Sequence, residues 1–314
     1  MTMTTTTSQT GSASAWPAEP EPTARKRRGK KRSPYPMWFY LPAAIIYIGL
    51  FVVPTFTSFY FSLTRWTIFD SEFVGLENFQ TFFSEPFLFQ SLIHTLIYAA
   101  ITSGLKVVLG LLIGVFLSSQ IIARGYLRSV VFFPVLVSAV GVGVTFSVLM
   151  DPFDGLINKS LAVFGIEGPG WLTDPNLALY SVAFVDVWSG VGIATLIYIA
   201  GIVAIPQEYF EAAKVDGANA VKSFWNITLP LMRPATTTVI ILSLIGGLRS
   251  FALIWTMTNG GPGFSSDVLA SMVYKQYQAG FYGLSTAGNV VLFVLVAVIV
   301  VPLFWFLNRK EVDQ

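Results

Sequence analysis

The sequence predicts an all-α, polytopic membrane protein with six spanning helices. Three observations lead there. Only 11% of its 314 residues are charged, against about 25% in a soluble domain. Mean hydropathy is +0.66. Residues 33–64, 129–150 and 276–308 contain no Asp, Glu, Lys or Arg, and each exceeds the ~20 residues that cross a hydrocarbon core of ~30 Å.

From the N terminus, residues 1–36 are rich in Thr, Ser, Ala and Pro and then basic, from Arg25 to Arg32. Such a composition cannot build a core, so a disordered cytoplasmic tail is expected, its basic block facing anionic lipid rather than nucleic acid. A membrane-spanning domain over 37–310 is expected to follow, with 311–314 as its cytoplasmic end. Its six spans are expected at about 37–63, 88–118, 127–150, 178–205, 235–257 and 284–307. Lys106, Asp186 and Arg249 interrupt the second, fourth and fifth. The loops at about 64–87, 151–177 and 258–283 are too short for a soluble domain, but long enough to cap a bundle and meet an external partner.

Charge sets the expected orientation. With the N terminus in the cytoplasm, the inner segments hold 14 basic residues: Arg25, Lys26, Arg27, Arg28, Lys30, Lys31, Arg32, Arg124, Arg128, Lys214, Lys222, Arg233, Arg309 and Lys310. The outer loops hold three: Arg65, Lys159 and Lys275. The positive-inside rule then puts both termini in the cytoplasm.

The largest inner loop, 206–234, carries an unusual density of charge: Glu208, Glu211, Lys214 and Asp216 within 13 residues. Pro206 suits a helix start, where a missing N–H is not needed. Glu208 and Glu211 then lie near the positive end of the helix dipole, and Tyr209, Ala212 and Ala213 share a face. Gly217 can end this helix in a left-handed conformation. A second short helix is expected from about Asn219, with Val221, Phe224, Trp225 and Thr228 along one side and Pro230 closing it. Such a hairpin is either a surface connector or a docking element for a cytoplasmic protein. The sequence holds no GxxxxGK[ST] phosphate loop, so this chain is not expected to hydrolyse ATP.

The segment from Glu208 to Pro234, EYFEAAKVDGANAVKSFWNITLPLMRP, resembles the EAA signature of ABC-type importer permeases. Glu211, Ala212, Ala213, Gly217, Ile227, Leu229 and Pro230 fall at the signature's spacing. The stretches Leu41–Trp66, Phe132–Val144 and Asn259–Asp267 resemble the carbohydrate-uptake (maltose/glycerol-phosphate-type) branch, and the likeness covers about 37–310. It implies a type I importer permease fold in the compact six-span form. It also implies a coupling helix seated in a groove of a cytoplasmic ATPase, with Glu208, Glu211 and Asp216 supplying charge and Ala212, Ala213 and Gly217 permitting close approach. The implied partners are a second, homologous permease, two ATPase subunits that carry ATP and Mg, and an extracellular or periplasmic solute-binding protein. The implied cargo is an oligosaccharide, disaccharide or polyol. No cofactor is expected on this chain itself.

An unpaired charge in hydrocarbon costs about 2.5–3.5 kcal/mol on insertion scales, so Lys106, Asp186 and Arg249 should face the bundle, a partner or a cavity. Asp186 could pair with Arg249, joining spans four and five, or Arg249 could line an aqueous path. Asp186, Trp188, Arg249 and Asn289 are the candidate solute path, since sugars stack on aromatic rings and hydrogen-bond to nearby polar groups; helix packing is the alternative role for each. An ion-gradient transporter using Asp186, or a permease for glycerol-phosphate-type solutes, are the rival readings. Gly110 and Gly114 can let helices approach closely. With no cysteine and the single histidine His94, no metal site is expected and His94 reads as structural.

Overall fold

The computed structural model describes residues 37–309, except 68 and 120. The basic tail and Lys310 therefore lie outside the described residues. Thirteen helices and one two-stranded ribbon follow in order among the described residues. They are α1 (Trp38–Phe61), β1 (Thr64–Trp66), β2 (Ser71–Phe73), α2 (Glu77–Ser84), α3 (Pro86–Ser118), α4 (Arg124–Leu136), α5 (Ala139–Leu149), α6 (Leu156–Val163), α7 (Ala178–Val203), α8 (Gln207–Val215), α9 (Ala220–Leu231), α10 (Arg233–Leu248), α11 (Ala252–Met257), α12 (Leu269–Gln278) and α13 (Tyr282–Asn308).

Four of these, α1, α3, α7 and α13, are each long and apolar enough to cross a membrane; α4 with α5, and α9 with α10, bring the number to six if each bent pair is one span. Residues up to Leu50 form one compact unit and those from Phe51 another. In the first unit nearly every side chain from Trp38 to Leu50 is exposed. In the second, α7 is the most enclosed of the spanning-length helices, with 56% of its most apolar window buried against 11% for α13. The outward side chains of α13, such as Val298, Val301 and Trp305, are exposed and apolar, as a lipid-facing surface requires.

Close helix contact is made at small residues. A Cβ on Gly110 would fall 2.7 Å from Ala194 Cβ, and one on Gly114 would fall 2.8 Å from Tyr198 Cβ, so the two glycines of α3 are the surface on which α7 rests. The core is built from Tyr98, Val182 and Ile254, from Phe82, Leu88, Leu269 and Met272, and from Ala194, Tyr198, Met232 and Val239. On the ribbon, Arg65 lies opposite Glu72 and also bonds Glu77. Asn78 Nδ2 donates to the backbone oxygens of Ser62 and Thr64 at 2.9 and 2.8 Å, fixing α2 to it.

Two predicted spans are corrected. The third, expected as one helix over 127–150, bends by 97° between α4 and α5. Pro134 has no N–H to offer; the chain tightens, Val137 N–H bonds the Pro134 oxygen at 3.2 Å, and Val137 and Ser138 are extended. The fifth, expected over 235–257, stops at Leu248, and a separate short helix begins at Ala252. Gly246 and Gly247 weaken the helix there. Lys106 and Asp186, by contrast, interrupt nothing: α3 and α7 run through both.

Candidate functional site

The polar hairpin forms much as its residues dictate. Pro206 is the N-cap of α8, Glu208 lies in its first turn and Lys214 in its last, each charge complementing the helix dipole. Gly217 follows with φ +73°, and the Ala218 N–H reaches the Ala213 oxygen at 2.8 Å, closing the helix by the glycine-ended route. Asn219 caps the next helix, its Oδ1 accepting the Lys222 N–H at 2.8 Å. Pro230 does not close that helix, which runs on to Leu231; the break is at Met232, where α10 leaves at 66°. A proline among the first residues of a helical turn needs no N–H partner, so it punctuates without stopping the chain.

What matters in this hairpin is its uncovered state. Glu208, Tyr209, Glu211, Ala212, Val215, Asp216 and Gly217 are all exposed, and Ala213 is half-buried. Val215 is 89% exposed. Glu211 Oε1 accepts a bond from Gln207 Nε2 at 2.8 Å, which holds the carboxylate along the helix surface. Glu208 and Asp216 make no ion pair among the described residues. The loop has small residues, an exposed aromatic and carboxylates, and nothing among the described residues covers them.

Inside the bundle, the expected pair of Asp186 with Arg249 is not formed. Asp186 Oδ2 lies 2.9 Å from Lys106 Nζ, with the side chains 17% and 10% exposed, joining α7 to α3. The lysine stem crosses over Gly190, where a Cβ would be 2.8 Å from Lys106 Cε. Nearby Ser250, at the break after α10, bonds the hydroxyl of buried Tyr98 at 3.3 Å. Arg249 ends α10, exposed and without an ion pair among the described residues.

The four candidate solute residues are therefore not one cluster. Asp186 is engaged by Lys106. Trp188 is 40% exposed with its ring 5.1 Å from that of Phe146. Asn289 instead lines a groove of about 270 Å³ with Phe251, Tyr274 and Tyr277.

A second buried charge pair escaped sequence reasoning. Asp267, 1% exposed at its side chain, bonds Lys275 Nζ at 2.6 Å and accepts from Ser271 Oγ at 2.7 Å. His94 Nδ1 donates to the Asp267 backbone oxygen at 3.0 Å, and the Leu269 N–H bonds Thr95 Oγ1 at 2.8 Å. His94 is thus structural, a tether between α3 and the start of α12. The only sequence signal was a carboxylate two residues before the short helix α12 and a lysine eight positions on, in its last turn. Among the described residues no group of three His, Cys, Asp or Glu could hold a metal ion.

Apolar helices of spanning length, charges neutralised within the bundle and a bare polar hairpin define a polytopic membrane protein. The chain belongs to the family described as the binding-protein-dependent transport system inner membrane component, which matches residues 106–309. It is 33% identical to the trehalose/maltose transport system permease protein MalF of Thermococcus litoralis, over 82% of this chain and 88% of the relative. It is 31% identical to the arabinooligosaccharides transport system permease protein AraP of Bacillus subtilis, over 90% and 94%. A crystal structure of a bacterial ABC transporter involved in the import of the acidic polysaccharide alginate has the same fold, with a TM-score of 0.75 at 22% identity, covering 86% of this chain and 94% of that one.

Proposed function

We propose that this chain is the membrane-spanning subunit through which an ATP-driven, binding-protein-dependent importer brings a sugar, oligosaccharide or polyol into the cell. The observation that carries the reading is α8, a helix with a fixed glycine end whose charged and small-residue face nothing among the described residues covers. Family membership supports it, as do relatives named for maltose, trehalose and arabino-oligosaccharide transport.

On this reading α8 is the coupling helix. Glu208, Glu211 and Asp216 meet basic groups of a cytoplasmic ATPase, and Ala212, Ala213 and Gly217 let the surfaces close. A docked helix moves the transport equilibrium only because its contacts differ between the inward-facing and outward-facing states. The basic excess, 14 to three, supports cytoplasmic termini and a cytoplasmic α8. A second permease subunit, two ATPases holding ATP and Mg, and an external binding protein complete the assembly. The solute passes near Asp186, Trp188, Arg249 and Asn289.

The rival reading, an ion-gradient transporter with Asp186 as its proton site, is disfavoured by the Lys106 ion pair, which already satisfies that carboxylate. The test is uptake in proteoliposomes. The chain with its permease, ATPase and binding-protein partners should accumulate sugar when given ATP. The chain alone, under an imposed proton or sodium gradient, should accumulate none; gradient-driven uptake by the single chain would overturn the proposal.

A further inference from the structure

We infer that the groove between α12 and α13, lined by Phe251, Tyr274, Tyr277, Ser285 and Asn289, is a binding subsite for one sugar ring of the transported solute, separate from the charge-paired Asp186. The inference rests on the sugar-import reading and adds a place and a chemistry to it.

The rings come first. Phe251 stacks on Trp255 at 5.6 Å and meets Tyr274 edge-on at 5.3 Å. Tyr274 lies 6.5 Å from Tyr277 with nearly parallel planes. Tyr277 meets Tyr282 at 5.3 Å, and Tyr282 meets Trp66 at 5.4 Å. Six rings from α11, α12, α13 and β1 thus form one continuous ladder. Tyr274 and Tyr277 are 38% and 56% exposed, so the middle of the ladder presents ring surface outward. Isolated belt aromatics do not link into such a run, since each needs only a water-facing tip.

The polar groups decide which medium the groove meets. Asn289 lies seven residues into α13, about 10 Å along the helix at 1.5 Å per residue. It is exposed, and its amide makes no hydrogen bond among the described residues. An amide left bare in hydrocarbon costs several kcal/mol, so this face of α13 is turned to a wet path, unlike the apolar face carrying Val298. The Tyr274 and Tyr277 hydroxyls likewise take no partner among the described residues. Arg249, two residues before Phe251, is exposed. Ring faces for C–H surfaces, beside an amide and phenolic hydroxyls for hydroxyl groups, are what a sugar ring needs; a purely apolar solute would leave the Asn289 amide unpaired.

The test begins with the wild-type assembly, reconstituted with its partners and offered glucose, maltose, trehalose, maltotriose and an arabino-oligosaccharide; the sugar it takes up becomes the probe. Asn289→Cys, Tyr277→Cys and Val298→Cys are then made singly in this cysteine-free chain and treated, within the assembly, with a charged methanethiosulfonate reagent. Reaction at Asn289→Cys and Tyr277→Cys, slowed several-fold by the probe sugar, is expected, with none at Val298→Cys. In uptake, Tyr277→Ala should raise KM for the probe sugar about tenfold, the size of one lost aromatic contact. An unreactive Asn289→Cys would mean the groove faces lipid and would overturn the inference. So would labelling rates that the sugar leaves unchanged, or a Tyr277→Ala assembly of normal yield with wild-type KM. Uptake of none of these sugars by the wild type would instead remove the functional reading, and the subsite with it.

Discussion

Lys106 and Asp186, 80 positions apart, meet at 2.9 Å between α3 and α7. Removing one partner strands the other charge, at a cost of about 3–5 kcal/mol. Lys106→Met alone and Asp186→Leu alone should therefore sharply lower the yield and melting temperature of the solubilised protein. The double variant Lys106→Met with Asp186→Leu should regain much of both, because an apolar pair restores neutrality. Thermal unfolding followed by size-exclusion chromatography checks this; a double variant worse than either single one would contradict a simple ion pair.

Gly190 leaves the space through which the lysine reaches. Gly190→Ala sets a Cβ 2.8 Å from Lys106 Cε. The lysine end is flexible and can swing aside, so the packing cost is small, but the ion pair is lost. Gly110→Leu differs, because its side chain meets Ala194 Cβ at 2.7 Å and backbone at 3.3 Å. It should destabilise by about 1–3 kcal/mol through overpacking. In a Lys106→Met, Asp186→Leu background, Gly190→Ala should cost almost nothing further, while Gly110→Leu should cost as much as before. Melting temperatures of the two parent proteins and of each glycine variant in both backgrounds report it.

At α8, the proposed coupling helix, Glu211→Lys would oppose cation to cation if the partner groove is basic. Gly217→Trp would force a side chain into φ +73°, where it is strained. Both positions are exposed, so expression should persist while ATPase recovery and sugar-stimulated ATP hydrolysis fall severalfold. Glu208→Lys, one turn earlier, should act more mildly. Copurification yield and hydrolysis rate are the measurements; wild-type values for both variants would make α8 a passive connector.

Orientation is open to the same cysteine chemistry. Val215 is 89% and Phe153 86% exposed, on loops that charge counting assigns to opposite sides. In intact cells an impermeant thiol reagent should label Phe153→Cys and leave Val215→Cys untouched until the membrane is opened. The reverse pattern would invert the topology.

The sequence by itself determined whatever depends on neighbours along the chain. Long charge-free windows mark apolar spans because each must satisfy its own backbone within the bilayer. Pro206, Gly217 and Asn219 delimit the surface hairpin because caps act over three or four residues. The small residues Gly110 and Gly114 announced a close contact, though not with which helix. Tertiary structure alone decided the pairings. Arg249 was as near to hand for Asp186 as Lys106, and only the α3–α7 contact, opened by Gly110 and Gly114 and cleared by Gly190, selected the lysine. The bend at Val137 was likewise hidden, since apolarity continues through it and hydropathy does not record direction, whereas Arg233 and Arg249 mark the breaks at Met232 and after Leu248. Asp267 meets Lys275 along α12 itself, eight positions on, whereas Asn289 is brought beside Phe251, Tyr274 and Tyr277 only by the packing of α12 and α13. Such contacts carry no period in the sequence; they exist only once the helices have chosen their neighbours.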